Sequence, residues 1–354
     1  MSALAHEIRR EIERNGPITF AHFMQLALYT PSLGYYEQPR PIGRDGDFLT
    51  SVSIGPLFGQ LLAFQFCEWI AKHTLDHRCQ LVESGAHDGR LAVDILDWLS
   101  HFRPELLERL RYIIIEPSPT RKAWQEKTLS AHKSRVDWIS GLEALKPCEI
   151  DGIFFSNEFF DAFPVHRLAW SASETRWKEW HVTSEREQFA WHLAEAEPNL
   201  PLPPVPPELA AVLPDGFITE IAPAAVNYWR ETASKLKRGK LLAIDYGSNE
   251  FLRPDRPNGT LRAYYRHHPA ADLLANPGAQ DITADVNFSA LDKAGQTQDL
   301  TPAIQRRQSL FLTEIWAKNG QKPQSPSPRQ FQTLTHPNHL GHLFHFLIQS
   351  TREI

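Results

Sequence analysis

Short apolar runs that alternate with helical stretches constrain this chain more than any other feature. Gln80–Ser84, Tyr112–Glu116, Val136–Ile139, Asp151–Ser156 and Lys240–Asp245 each read as a strand, and their apolar residues are consecutive. A strand buried on one face would make every second residue polar, so consecutive apolar residues require cover on both faces. Leu91, Ile95, Leu96 and Leu99 recur at helical spacing after the first run, and a further helix is expected around Trp124. The pattern predicts an α/β fold on a doubly wound, mostly parallel sheet.

The residues before the first strand read as helical. Leu4, Ile8 and Ile12 make one stripe of a charged helix that Asn15-Gly16 stops, and Thr19 is placed to cap a second helix that ends before Pro31. Ile54, Leu57, Phe58, Leu61, Leu62 and Trp69 mark a third, after a loop rich in Gly, Pro and aromatic residues from Gly34 to Thr50. Between the fourth and fifth strands, Leu168–Leu193 carries four tryptophans among polar residues and reads as antiparallel hairpin strands. The Pro-rich stretch Pro198–Pro207 follows, either a stiff connector or a ligand for a proline-binding module.

Composition excludes several classes. The 37 basic and 42 acidic residues give a net charge of −5, which argues against a nucleic-acid surface as the main business. Cys67, Cys79 and Cys148 are scattered, which fits neither a disulfide framework nor a zinc ribbon. The most apolar stretch, Leu57–Ala71, is interrupted by Gln60, Gln65 and Glu68, so no membrane span is expected. Glu7, Glu11 and Glu13 suit neither a signal peptide nor a presequence, and a cytoplasmic location is expected. No metal is expected either. His336, His339, His342 and His345 recur every third residue, but Pro337 interrupts a helix and a strand would send neighbours to opposite faces. Asp281–Asn287 starts like a calcium loop but has Val286 where glycine is needed.

The chemistry centres on Leu81-Val82-Glu83-Ser84-Gly85-Ala86-His87-Asp88-Gly89-Arg90-Leu91, a strand, a Gly-bearing turn and a helix start. Doubly wound folds bind nucleotides at such a turn. A dinucleotide fingerprint would need a third glycine, and Asp88 stands where pyrophosphate would sit, so a pyridine-nucleotide or flavin enzyme is disfavoured. S-adenosylmethionine has no phosphate; its ammonium and ribose hydroxyls suit acids at neighbouring strand ends, here Glu83 and Glu116. A tight turn with solvated acids is the alternative reading of the same residues.

Several blocks in order carry a resemblance. They are Gly34-Tyr35-Tyr36; Gly43 with Gly46-Asp47-Phe48-Leu49-Thr50; Leu57-Phe58-Gly59; the Glu83–Leu91 turn; and Glu116-Pro117-Ser118-Pro119. They continue through Asn157-Glu158-Phe159-Phe160-Asp161-Ala162-Phe163-Pro164, Ile244-Asp245-Tyr246-Gly247, Gly259-Thr260-Leu261 and Asp281-Ile282-Thr283. This ordered set resembles the MidA-like family of S-adenosylmethionine-dependent methyltransferases, which comprises mitochondrial complex I assembly-factor methyltransferases and bacterial relatives. The resemblance implies a class I methyltransferase fold, S-adenosyl-L-methionine as cofactor, and a protein substrate; the best-described mitochondrial members modify an arginine of a respiratory complex I subunit. Two departures stand near the expected cofactor site: His87 replaces a usual glycine, and Val52-Ser53 replaces a usual Pro-Glu.

On this basis the cofactor-binding residues are expected to be Gly46, Asp47, Phe48, Thr50, Glu83, Gly85, His87, Gly89, Glu116 and Asn157. Glu158 and Asp161 are expected to clamp a protonated, planar acceptor such as arginine, on the same side of one helical turn. Alternatively Asp161 caps the next turn and Glu158 only orders the loop. Asp245 and Tyr246 either line the acceptor pocket or cap the next segment. The chain is expected to divide into an N-terminal helical and lid region (1–75), the first part of the core (76–165), an inserted hairpin and Pro-rich connector beside the active site (166–215), and the remaining core with acceptor-side additions (216–354). A non-catalytic assembly protein on a methyltransferase scaffold is the alternative function.

Overall fold

The computed structural model describes residues 2–38, 50–72, 79–186, 188–265, 268–318 and 328–352. Contacts divide the chain into two units: Met1–Pro41 with Asp161–Asn227 and Ser248–Ser289, and Ile42–Phe160 with Tyr228–Gly247 and Ala290–Ile354.

The second unit holds the central sheet. Its strands lie in the order Ile304–Arg307, Phe344–Ser350, Leu236–Ser248, Ile150–Asn157, Cys79–Ser84, Leu110–Ile115 and Val136–Ile139. The five from Leu236–Ser248 to Val136–Ile139 pair in parallel, and Phe344–Ser350 joins antiparallel. All five apolar runs of the sequence are therefore neighbours in one sheet: Val136–Ile139 keeps its bounds, three others have ends that differ slightly, and Lys240–Asp245 lengthens to Leu236–Ser248. Helices Leu57–Lys72 and Arg90–Phe102 bury Leu61, Leu62, Phe66, Leu91, Ile95 and Leu99 against Leu81, Ile114, Ile153 and Phe155. These helices cover one of the two faces that the unbroken apolar runs require to be covered, and Val82, Ile113 and Phe154 on the other face are buried too. The sheet's order reverses between Cys79–Ser84 and Ile150–Asn157, because the chain builds outward from the first strand on one side and then on the other. In open α/β sheets the crevice beyond the carboxyl ends at such a reversal is where ligands bind.

The first unit is built from local signals and an antiparallel sheet. Helix Ala3–Asn15 buries Leu4, Ile8 and Ile12, and Thr19 Oγ1 accepts from the His22 amide to cap helix Phe20–Tyr29. Strands His166–Ser171, Arg176–Glu185 and Gln188–Glu195 form the expected hairpins and are joined by Ile18–Thr19 and Ile218–Ile221. The Pro-rich stretch is pinned here: the Trp177 indole donates to the Pro203 carbonyl at 2.9 Å, and Leu200 and Val205 pack on Trp170 and Trp177. Glu179, fully buried, accepts from His166 Nδ1 at 2.7 Å, and burial is outweighed by His166 and His181, so its carboxyl is held low, at about 2.

Gly152 is paired with Gln80 on one side and Gly239 on the other, and a Cβ there would run into the Gln80 carbonyl. Gly152→Ala is expected to cost about 2–3 kcal/mol, because two parallel strands must separate to admit a methyl group. Urea unfolding read on the far-ultraviolet signal checks this.

Candidate active site

The strand Cys79–Ser84 delivers Glu83 to the carboxyl end of the sheet, where it is buried and accepts from the Tyr112 hydroxyl at 2.6 Å. Burial pushes the Glu83 carboxyl up to about 7, against the opposing pull of the Tyr112 hydrogen bond. The turn that follows is tight. Gly85 has φ 75°, and a Cβ there would stand 2.6 Å from the Phe159 ring; Gly89 has φ 87° and opens helix Arg90–Phe102. Asp88 Oδ1 accepts from the Arg90 amide at 3.2 Å, and Asp88 pairs with the Arg90 guanidinium. The helix N-terminus that would receive a pyrophosphate thus already carries a carboxylate.

His87 occupies a left-handed backbone position, φ 46°, which a glycine would take without strain. Its carbonyl accepts from Gln125 Nε2 at 3.0 Å, while its Nδ1 is sealed from solvent with no hydrogen-bond partner among the described residues. Burial holds the imidazole below its usual pKa, opposed by Asp88. The same Gln125 Nε2 donates to Glu116 Oε2 at 2.8 Å, and its Oε1 accepts from the Trp138 indole. Glu116 Oε1 accepts from the Ser118 amide and from Arg121 Nε, both at 2.9 Å. A carboxylate offers about four acceptor positions, and these three donors leave room on Oε2 for one more.

The strand Ile150–Asn157 ends in a sharp turn. Glu158 has φ 50°, its amide donates to the Ile244 carbonyl, and the amides of Phe159 and Phe160 both donate to Asp245 Oδ2, at 3.2 and 2.9 Å. Asp245 Oδ1 takes its own neighbour's amide, from Tyr246, at 3.0 Å. Asp245 therefore caps the turn after the fourth strand. Glu158 Oε1 accepts from the Ser51 amide at 3.3 Å and from Asn157 Nδ2 at 3.1 Å. Asn157 Oδ1 is buried without a partner among the described residues.

The expectation that Glu158 to Asp161 form one helical turn is corrected. Glu158 is left-handed and the short 3₁₀ turn covers only Phe160–Ala162, because Asp245 draws the intervening amides out of helical register. Asp161 belongs to the other unit, where it is buried and its carbonyl accepts from the Ala284 amide. There the Tyr36 hydroxyl donates to Asp281 at 2.8 Å, and burial, then Asp281, Tyr29 and Asp161, raises its pKa.

Thr50 is described and makes a reciprocal box with Ser53: each amide donates to the other residue's hydroxyl, at 3.0 and 3.1 Å. A Thr-x-x-Glu box would be closed by glutamate in the last place, so Ser53 does with Oγ what the family's glutamate would do with its carboxylate. Gly46, Asp47 and Phe48 lie outside the described residues. Sequence reasoning missed Tyr112, Gln125, Ser51 and Gln308. The first two sit inside an apolar strand and a polar helix and give no local signal.

The site fits S-adenosyl-L-methionine. Two buried polar atoms without a partner among the described residues (His87 Nδ1 and Asn157 Oδ1) and the acids Glu83 and Glu116 surround a turn too tight at Gly85 for a side chain, and the N-terminus of the helix that follows this turn is blocked to phosphate. Residues 61–305 match the family described as "Putative S-adenosyl-L-methionine-dependent methyltransferase". The chain belongs to that family. Among curated relatives it is 30% identical to protein arginine methyltransferase NDUFAF7 of Bos taurus, over 95% of this chain and 81% of that one. It is 28% identical to the Mus musculus protein of the same name, over 98% and 84%. A Burkholderia thailandensis protein crystallised with S-adenosyl-homocysteine is 31% identical and superposes with a TM-score of 0.81, over 98% of this chain and 92% of that one.

This methyltransferase is not assigned to the cytoplasm. The curated relatives are named as mitochondrial proteins, which overturns that expectation. An acidic first helix bears on one kind of import signal and leaves the compartment undetermined. Among the described residues no helix is long and apolar enough to cross a membrane.

Glu83 supplies a pH test. Its raised pKa means the folded chain keeps a proton that the unfolded chain has released, so this stabilisation is full below the ordinary carboxylate range and is lost as pH rises toward 7. The melting temperature is expected to fall between about pH 5 and about pH 7.5 more steeply in the wild type than in Glu83→Gln. Calorimetry of both proteins across that range checks it.

Proposed function

We propose that this methyltransferase modifies an arginine side chain of a protein substrate. The reading rests on Glu158, a carboxylate fixed at Oε1 by two donors just past the fourth strand, where class I folds present an acceptor. A guanidinium stays protonated and planar, so a fixed carboxylate can hold it by paired N–H donors and leave one nitrogen directed at the methyl group. The names of the curated relatives support the same acceptor. A respiratory-complex subunit is our candidate for the substrate protein.

In this reading Glu158 receives the acceptor. Glu116 takes one ribose hydroxyl with its remaining acceptor position, and Asn157 and His87 offer to the cofactor their buried atoms that have no partner among the described residues. Glu83, Gly85 and Gly89 shape the turn. When bound, S-adenosyl-L-methionine would supply an electrophilic methyl on its sulfonium, with the guanidinium giving up one proton in exchange for the methyl group. Most of the acceleration then comes from alignment, with the reacting atoms held about 3 Å apart.

Two measurements test this. Calorimetric titration with S-adenosyl-homocysteine should show Glu116→Ala weakened about tenfold or more, the effect of losing one hydrogen bond to a charged group. Mass spectrometry of a respiratory-complex fraction incubated with the enzyme and cofactor should find methylated arginine. The Glu158→Gln variant should lower that rate about a hundredfold while still binding S-adenosyl-homocysteine. A wild type that binds cofactor but methylates no arginine overturns the arginine assignment and leaves the scaffold reading.

A further inference from the structure

Within the sheet unit, the turn that supplies the Ser51 amide is held by side chains from near the far end of the chain. Ser51 is 0% exposed, and its hydroxyl donates to Gln308 Oε1 at 3.2 Å. Gln308, also 0% exposed, opens helix Gln308–Lys318 and donates from Nε2 to the Leu334 carbonyl of helix Pro328–Thr335 at 3.0 Å. At the other end of the turn, Gln330 Oε1 accepts from the Leu57 amide, and its amide group lies where a Cβ on Gly55 would go. Two glutamines of this helical pair therefore fix the segment between Ser51 and Leu57 from both ends. Val52 and Ile54 pack on the same core as Phe331 and Trp316.

We propose that Gln308 and Ser51 are positioning residues for the acceptor carboxylate, with Gln308 setting the place of the Ser51 hydroxyl, and so of the Ser51 amide that holds Glu158 Oε1. This rests on the assignment of Glu158 made above. A buried amide–hydroxyl pair remote from the acid in sequence has a local role too, since both groups need partners once water is excluded. A purely local role predicts lost stability alone. The relay predicts something more specific, because the Ser51 amide donates to Glu158 Oε1 and is displaced when its own side chain loses its anchor. A small displacement of a group that orients a substrate lowers the rate far more than it lowers cofactor affinity. The Thr50–Ser53 box sets the turn, and Ser51 within it points both ways, hydroxyl toward Gln308 and amide toward Glu158.

The test is a cycle on the full-length enzyme with Gln308→Met, which keeps the volume and removes both hydrogen bonds, together with Ser51→Ala, Ser51→Thr and Glu158→Gln. Gln308→Met and Ser51→Ala should each lower kcat about ten- to a hundredfold, with affinity for S-adenosyl-homocysteine changed by less than about threefold. Ser51→Thr, which keeps the hydroxyl, should recover most of the rate. Gln308→Met placed on Glu158→Gln should cost no more than Glu158→Gln alone, because the relay has nothing left to position. Full additivity in that double variant, or a melting-temperature loss with kcat intact, overturns the relay while leaving Glu158 in its role. A Glu158→Gln enzyme of normal kcat removes the acid itself, and the relay with it.

Discussion

One buried carboxylate organises the catalytic end of the sheet. Asp245, on the fifth parallel strand, accepts from the amides of Phe159 and Phe160 on the neighbouring strand's exit and from Tyr246 on its own. A charge almost wholly removed from water is tolerable only when its oxygens are met by donors, and backbone amides that would otherwise be orphaned at a strand end are the natural ones. The arrangement stops the fourth strand, forces Glu158 into the left-handed region and aims its side chain at Ser51 and Asn157. Without Asp245 the amides of Phe159 and Phe160 would need other partners, and the simplest is a helical turn that carries Glu158 elsewhere.

The cofactor side follows a related logic with a neutral group at its hub. Gln125 has no exposure, and its amide joins the first turn, through the His87 carbonyl, to the second strand's acid and the third strand's Trp138. Three strand ends are thereby held in fixed relation by one side chain. An uncharged amide suits that place, since it both donates and accepts and carries no desolvated charge of its own. Asp88 closes the anion-binding end of the following helix, so the crevice favours a ligand rich in hydroxyls and positive charge over one built on phosphates. Family membership and the site's donor set agree on that ligand for independent reasons.

Much of this was readable beforehand. The five parallel strands, the flanking helices, the Thr19 cap and the tryptophan-rich hairpins each announce themselves within ten residues or so, through periodicity, capping chemistry or unbroken apolar runs. The turn at Gly85 was legible because few side chains fit such a bend. The helical turn expected between Glu158 and Asp161 failed for a reason outside its own window: spacing of three residues suggests a shared helical face only when nothing else claims the amides, and Asp245, 86 and 85 residues beyond Phe159 and Phe160, claims them.

What the sequence alone determined is therefore local: which segments are strands or helices, that the sheet is covered on both faces, and that the first turn rejects a pyrophosphate. The tertiary structure decided which acid is gripped by what. Tyr112 reaches Glu83, Gln125 reaches Glu116, and Ser51 meets Gln308 across 257 positions. Those pairings follow from strand order and from how helices settle on the sheet, and no residue's identity encodes its partner when the partner lies outside the range over which backbone geometry repeats.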